Sequence, residues 1–116
     1  MSASSFVDAV ALPWRDTPCQ GVRWKKLFFD VATGESAVLL QFSPGATYDA
    51  HRHPAGEQYL VLDGELEDGG QRYGPMTYVR HAPGSAHRPC SPSGCVLFVV
   101  LREPIAPLSA GFARNQ

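Results

Sequence analysis

His51, His53, Glu57 and His87 are the residues of this chain whose types and spacing most directly encode chemistry. Imidazole nitrogen and carboxylate oxygen are ligands for borderline divalent ions, and the absence of a thiolate among them argues against a closed structural zinc site of the finger type. On an extended strand alternate side chains share a face, so His51 and His53 point the same way with α-carbons roughly 6.5 to 7 Å apart. Glu57 has the same parity, but a straight strand would carry it about 13 Å beyond His53. That is too far for metal bonds of about 2 Å. The chain must therefore reverse, and Pro54-Ala55-Gly56 is a turn signal at the required place. His87 can join only by long-range folding, delivered from a strand edge after the second turn signal, Pro83-Gly84.

An HxH pair alone is weak evidence for a metal site, because histidines also pack in cores and on surfaces. The wider spacing is more specific. Gly45, five residues, His51, one residue, His53, three residues, Glu57, six residues and Gly64 match every fixed position of the first cupin motif, and here the chain resembles the cupin superfamily. The second motif is partly present. Gly84, two residues and His87 fit, whereas Ala82 stands where proline is expected with Pro83 shifted by one, Gly74 lies two residues early, and Ser91 replaces an asparagine. The runs 57–65 and 73–89, the later Ser93-Gly94-Cys95, and the N-terminal Leu12-Pro13-Trp14 and Pro18-Cys19-Gln20-Gly21-Val22 resemble the cupin domain of ChrR-type anti-sigma factors. This resemblance covers most of the chain and implies an all-β, RmlC-like jelly-roll β-barrel.

The elements that must position these residues read as short strands between turns, with no sustained helical periodicity. Strands are predicted over 22–30, 36–42, 47–53, 57–63, 71–79 and 95–102. Ten prolines and eleven glycines fall mainly between these runs, which suits an all-β jelly roll. With 116 residues there is chain for one core, so residues 1–116 are expected to form a single cupin domain. Its parts would be an N-terminal segment packing on the barrel (1–21), the barrel core (22–102) and a C-terminal tail (103–116). Val96 to Leu101 and Tyr59 to Leu62 are apolar on both faces, so their outer faces need cover. A homodimer would supply it; so would the N-terminal segment with Trp14 and Trp24, or the C-terminal tail.

A net charge of −1 gives no electrostatic case for nucleic acid or an anionic membrane. No run approaches the ~18 apolar residues of a membrane span, and the first twelve residues contain Asp8 and no basic start, so a cytoplasmic location is expected. Cys19, Cys90 and Cys95 cannot all pair within one chain and read as reduced thiols. Cys90 and Cys95 flank a turn-like insert that would let them approach, but small buried thiols are the commoner explanation.

Three neutral imidazoles and a carboxylate suit one divalent ion, with zinc, iron or manganese ahead of nickel or copper. If all four bind an octahedral ion, two positions stay open for a bidentate substrate or for substrate plus dioxygen; in tetrahedral zinc the same four close the shell. The first functional reading is a metal-dependent dioxygenase acting on a small diketone-like or phenolic compound, as enzymes resembling this cupin subgroup do. Tyr48, Tyr59, Tyr78 and Arg80 would line its pocket, although strand tyrosines more often pack and Arg80 reads equally as a solvated side chain. The second reading, implied by the ChrR resemblance, is a zinc-binding sensor responding to reactive oxygen or a small ligand. His81 is expected beside the site or at the surface.

Overall fold

The computed structural model describes residues 4–108. Apart from a single 3-10 turn at Ala9–Ala11, its regular structure is thirteen short strands: β1 (Arg15–Asp16), β2 (Val22–Phe29), β3 (Ser36–Phe42), β4 (Ala46–Thr47), β5 (His51–His53), β6 (Glu57–Gly64), β7 (Leu66–Asp68), β8 (Gln71–Tyr73), β9 (Tyr78–His81), β10 (Ser85–His87), β11 (Cys90–Ser91), β12 (Cys95–Leu101) and β13 (Ala106–Pro107). They form a six-stranded sheet in the order β1-β2-β3-β12-β6-β9, a three-stranded sheet β10-β5-β13 and a four-stranded sheet β4-β11-β7-β8. The architecture is all-β and cupin-like, and every pairing is antiparallel.

Strand alternation sets the interior. In the large sheet Val38, Phe42, Tyr59, Val61, Val79, Cys95, Leu97 and Val99 point inward and are buried. They share one cluster with Ala46, Tyr48 and Leu66 from the smaller strands and loops. The outward parity of the same strands is apolar too, with Leu62, Phe28 and Tyr78 substantially exposed.

Two predicted strands are broken, and in both the backbone explains why. The run 47–53 is interrupted because residue 49 spends its groups on side chains: its N–H donates to Cys19 Sγ at 3.4 Å and its carbonyl accepts from His51 Nδ1 at 2.6 Å. The run 71–79 is divided at Gly74-Pro75-Met76. Proline has no N–H for the ladder, Met76 takes the left-handed region at φ 68°, and its N–H reaches Val61 O at 2.7 Å. At the other end of the chain, β13 pairs with β5, opposite Arg52 and His51. All three cysteines are free, with Cys19 and Cys95 buried.

Candidate metal centre

The reversal after His53 works through Gly56. Its N–H donates to His53 O at 3.1 Å, its φ is 81°, and a β-carbon there would sit 2.5 Å from His81 O. Only glycine fits. The second turn ends at Gly84, whose N–H also reaches His53 O, at 2.8 Å. Strands β5 and β10 then pair in a register that sets His87 directly opposite His51. Glu57 opens β6 on the neighbouring sheet, opposite His81 of β9.

These turns bring all four side chains together. His87 Nε2 lies 2.8 Å from His53 Nε2 and 2.9 Å from His51 Nε2. Glu57 Oε1 lies 3.4 Å from both His53 Nε2 and His87 Nε2. His51, His53 and Glu57 are buried, and Arg52 between the histidines faces solvent, as strand parity demands.

Hydrogen bonding identifies the face each ring offers. His51 Nδ1 meets a backbone carbonyl and His87 Nδ1 meets the Asp68 carboxylate at 2.9 and 3.0 Å, so both Nδ1 atoms donate. In neutral rings this leaves lone pairs on both Nε2 atoms, facing each other at 2.9 Å. Two lone pairs at that distance repel unless they share an electrophile. Burial pushes His51 down to about 4, against the hydrogen bond at residue 49, and pushes His53 down to about 3, with the neighbouring imidazoles adding to it. Both rings are therefore neutral, and so able to act as ligands, at neutral pH.

Glu57 completes the case for a cation. Its Oε1 is buried without a hydrogen-bond partner, and burial, reinforced by repulsion from Asp68, pushes the carboxyl up to about 8. A carboxyl in such a place keeps its proton at neutral pH unless a positive charge beside it favours the ionised form. Ligands at right angles about an ion at ~2.1 Å lie ~3.0 Å apart and tetrahedral ones ~3.4 Å apart. The imidazole spacings match the first value and the Glu57 spacings the second. The donor set fits a divalent metal ion.

Asp68, just before the glycine pair Gly69-Gly70, is the buried anchor behind the site. It accepts from Tyr59 OH at 2.7 Å, from His81 Nε2 at 2.9 Å and from His87 Nδ1. Burial alone would raise its carboxyl, but the hydrogen bonds from His87, Tyr59 and His81 outweigh burial and hold it below the usual range. Carboxylates behind ligand histidines fix ring orientation and tautomer. The missed signal was parity, because Asp68 stands two residues after the inward Leu66. His81 binds Asp68 and lies near Glu57 and His87, in a partly buried position.

A cavity of about 640 Å³ opens from the histidines. Tyr48 and Tyr59 line it, whereas Tyr78 and Arg80 do not. On β9 Val79 and the partly buried His81 turn inward, so Tyr78 and Arg80 face solvent, and Tyr78 OH bonds Gln58 Oε1 across the outer surface.

The family model of the ChrR cupin-like domain matches residues 2–104. The chain belongs to this family. Three solved structures place this ChrR cupin-like domain among known folds. A candidate acetylacetone dioxygenase from Methylibium petroleiphilum superposes with a TM-score of 0.88 at 16% identity, covering 100% of this chain and 86% of that one. An acetylacetone dioxygenase from Acinetobacter johnsonii gives 0.81 at 15%, covering 100% and 83%. The Rhodobacter sphaeroides complex of SigE with the anti-sigma ChrR gives 0.68 at 25%, covering 81% of this chain and 50% of that chain. The first two likenesses establish the fold alone. No curated protein matches the chain in sequence. Among the described residues of this ChrR cupin-like domain, no helix is long and apolar enough to cross a membrane.

Proposed function

We propose that this protein is a metal-dependent dioxygenase of a small diketone-like or phenolic compound. The observation that carries the reading is the junction of the ligand set with the cavity: His51, His53, Glu57 and His87 all line it, and most of its remaining wall is apolar. Such a cavity, with a few convergent polar groups, is the usual form of a small-molecule site. When bound, a redox-active divalent ion such as iron would supply Lewis acidity toward substrate oxygens and a path for electrons from the substrate to dioxygen.

The chain's own residues do the rest. His51, His53 and His87 hold the ion through Nε2, while residue 49 and Asp68 keep the two outer rings in the productive tautomer. Glu57 completes the ligand set, or releases its place to substrate. Tyr59 contributes a ring wall, because its hydroxyl is committed to Asp68. Tyr48 packs edge-on against His51 at 5.0 Å between ring centroids. The apolar wall excludes water, which strengthens every charge interaction at the reacting end.

The test is anaerobic loading with ferrous iron, followed by oxygen uptake on adding acetylacetone or a catechol. Uptake that depends on both iron and His53 is expected; an iron-loaded protein inert toward both compounds would overturn the reading. A zinc-holding sensor is the second reading. It is favoured by membership of the ChrR cupin-like family and by Glu57, which as fourth ligand would close a tetrahedral zinc shell. Tightly held four-coordinate zinc in protein from its native source would support it. The proposal also takes the protein as cytoplasmic and as a homodimer, the latter supported by the apolar outer face around Leu62 and Phe98.

A further inference from the structure

The cavity extends well past the imidazoles. Strand register shows its course. From Tyr59 on β6 the inward row passes through Val99 on β12 and Val38 on β3 to Lys26 on β2. The next row joins Leu97, Leu40 and Trp24. All of these residues line the cavity, and three strand spacings separate its two walls, or roughly 14 Å.

A β-bulge finishes the far wall. The register of β2 against β3 shifts between Lys26 and Phe28, so that Phe28 pairs with Ala37 and Phe29 with Ser36. Without the extra residue, Phe29 would fall on the outer parity. With it, Phe29 joins Trp24 and Lys26 on the cavity side while Phe28 faces out. Lys26 Nζ lies 4.6 Å from the Trp24 ring centroid and 5.9 Å from that of Phe29. Apart from Glu57, the Asp and Lys side chains on the cavity wall are Asp16 and Lys26, both exposed, so these charges stand at the mouth and the middle is apolar.

A ligand bound only at the metal end would leave most of this space to water. About 640 Å³ is room for roughly twenty waters, and apolar walls offer them few partners. We propose that the cavity takes a two-part ligand: an oxygen-chelating head at His51, His53 and His87, and an apolar arm crossing β12 and β3 to reach Trp24 and Phe29, which select for that arm. The head rests on the function proposed above. The arm rests on the wall alone.

Equilibrium binding to the full-length, metal-loaded protein without oxygen tests this, with acetylacetone and a β-diketone bearing a decyl arm as probes. The armed probe is expected to bind at least about tenfold more tightly, since even single methylene groups in an apolar pocket give discrimination of that order. Trp24→Ala with Phe29→Ala should bring the ratio of the two affinities toward one. Phe29→Ala alone, at a half-exposed position, reads the same ratio should the double variant not fold. Equal affinities in the wild-type protein would overturn the arm and leave the proposed function standing. An armed probe that binds metal-free His51→Ala/His53→Ala protein as tightly as the metal-loaded wild type would support the arm and sink the chelating head. Failure of the armed probe to bind either protein would overturn the proposal.

Discussion

The two ends of the cavity are built from opposite physics. At the histidine end a few polar atoms are fixed by directed bonds: residue 49 holds His51, and Asp68 holds His87 while itself held by Tyr59 and His81. At the β2–β3 end the wall is mostly apolar side chains placed by sheet register, with the charges of Lys26 and Asp16 at the mouth. The apolar end gains from folding with nothing bound. The polar end does not, because Glu57 Oε1 is buried without a partner and two imidazole lone pairs face each other. One region is stable in itself, and the other is poised for a cation.

Emptying the polar end should have the largest effect. His51→Ala/His53→Ala protein is expected to lose stoichiometric metal, read by elemental analysis, and to lose the stabilisation that metal confers. That stabilisation would be about 2.7 kcal/mol with the ion at a hundred times its dissociation constant. Thermal melts with and without added metal check it. A double variant that keeps one ion per chain would break the contrast between the two ends.

Next in size is the pH response of the metal-free protein. His51 and His53 have folded values pushed down to about 4 and about 3, below the ordinary 6.5, so their contribution is full above pH 6.5 and is lost as pH falls through those values. Glu57 works the other way. Its folded value of about 8 exceeds the ordinary 4.5, so its contribution is full below 4.5 and is lost as pH rises through 8. Stability against urea should therefore peak near pH 6.5 and fall on both sides, by an amount on the order of a few kcal/mol. Glu57→Gln should flatten the alkaline limb and spare the acid one. An alkaline limb unchanged in that variant would mean that Glu57 is not the group responsible.

Much of this contrast was legible in the sequence, and the missing parts share a cause. HxH parity, the Pro-Gly reversals and the motif spacing placed His51, His53, Glu57 and His87 on elements able to meet, and the structure brings His87 Nε2 to 2.8 Å from His53, 2.9 Å from His51 and 3.4 Å from Glu57. Six strands were foreseen, and two of those were broken by local bonding at residue 49 and by the turn at Pro75, neither of which alters hydrophobic alternation. Asp68 escaped because its partners lie 9 to 19 residues away along the chain, so its role exists only after folding. The bulge that sets Phe29 on the cavity side escaped for the same reason, since it is a property of the pairing of β2 with β3.

Asp68→Asn should have an intermediate effect. Asparagine keeps the shape but has one acceptor oxygen in place of two, and it lacks the charge that favours the Nδ1–H tautomer of His87. Metal affinity is expected to fall by about 10- to 100-fold, measured by competition with a chelator. Nitrogen NMR of the wild-type His87 ring should show the proton on Nδ1 in the metal-free state. His81→Asn removes one of the supports of Asp68 and should cost less. Affinity unchanged in Asp68→Asn would reduce the anchor to packing.

The smallest effect should come from Arg80→Ala, and it sharpens the comparison because Arg80 is a sequence neighbour of the site. It adjoins His81 and pairs across the sheet with Gln58, which follows Glu57. Sequence distance and register would both place it in the centre. Strand parity does not, because Val79 is buried and the residues on either side of it are turned outward. A solvated side chain on the outer face has no line to the cavity, and losing it leaves no buried partner unpaired. Metal affinity should be unchanged, and stability should move by no more than about 0.5 kcal/mol. A tenfold loss of metal would show that the outer face of β9 communicates with the histidines, through Gln58 and the backbone of β6, and that the two faces of this sheet are less independent than their burial implies.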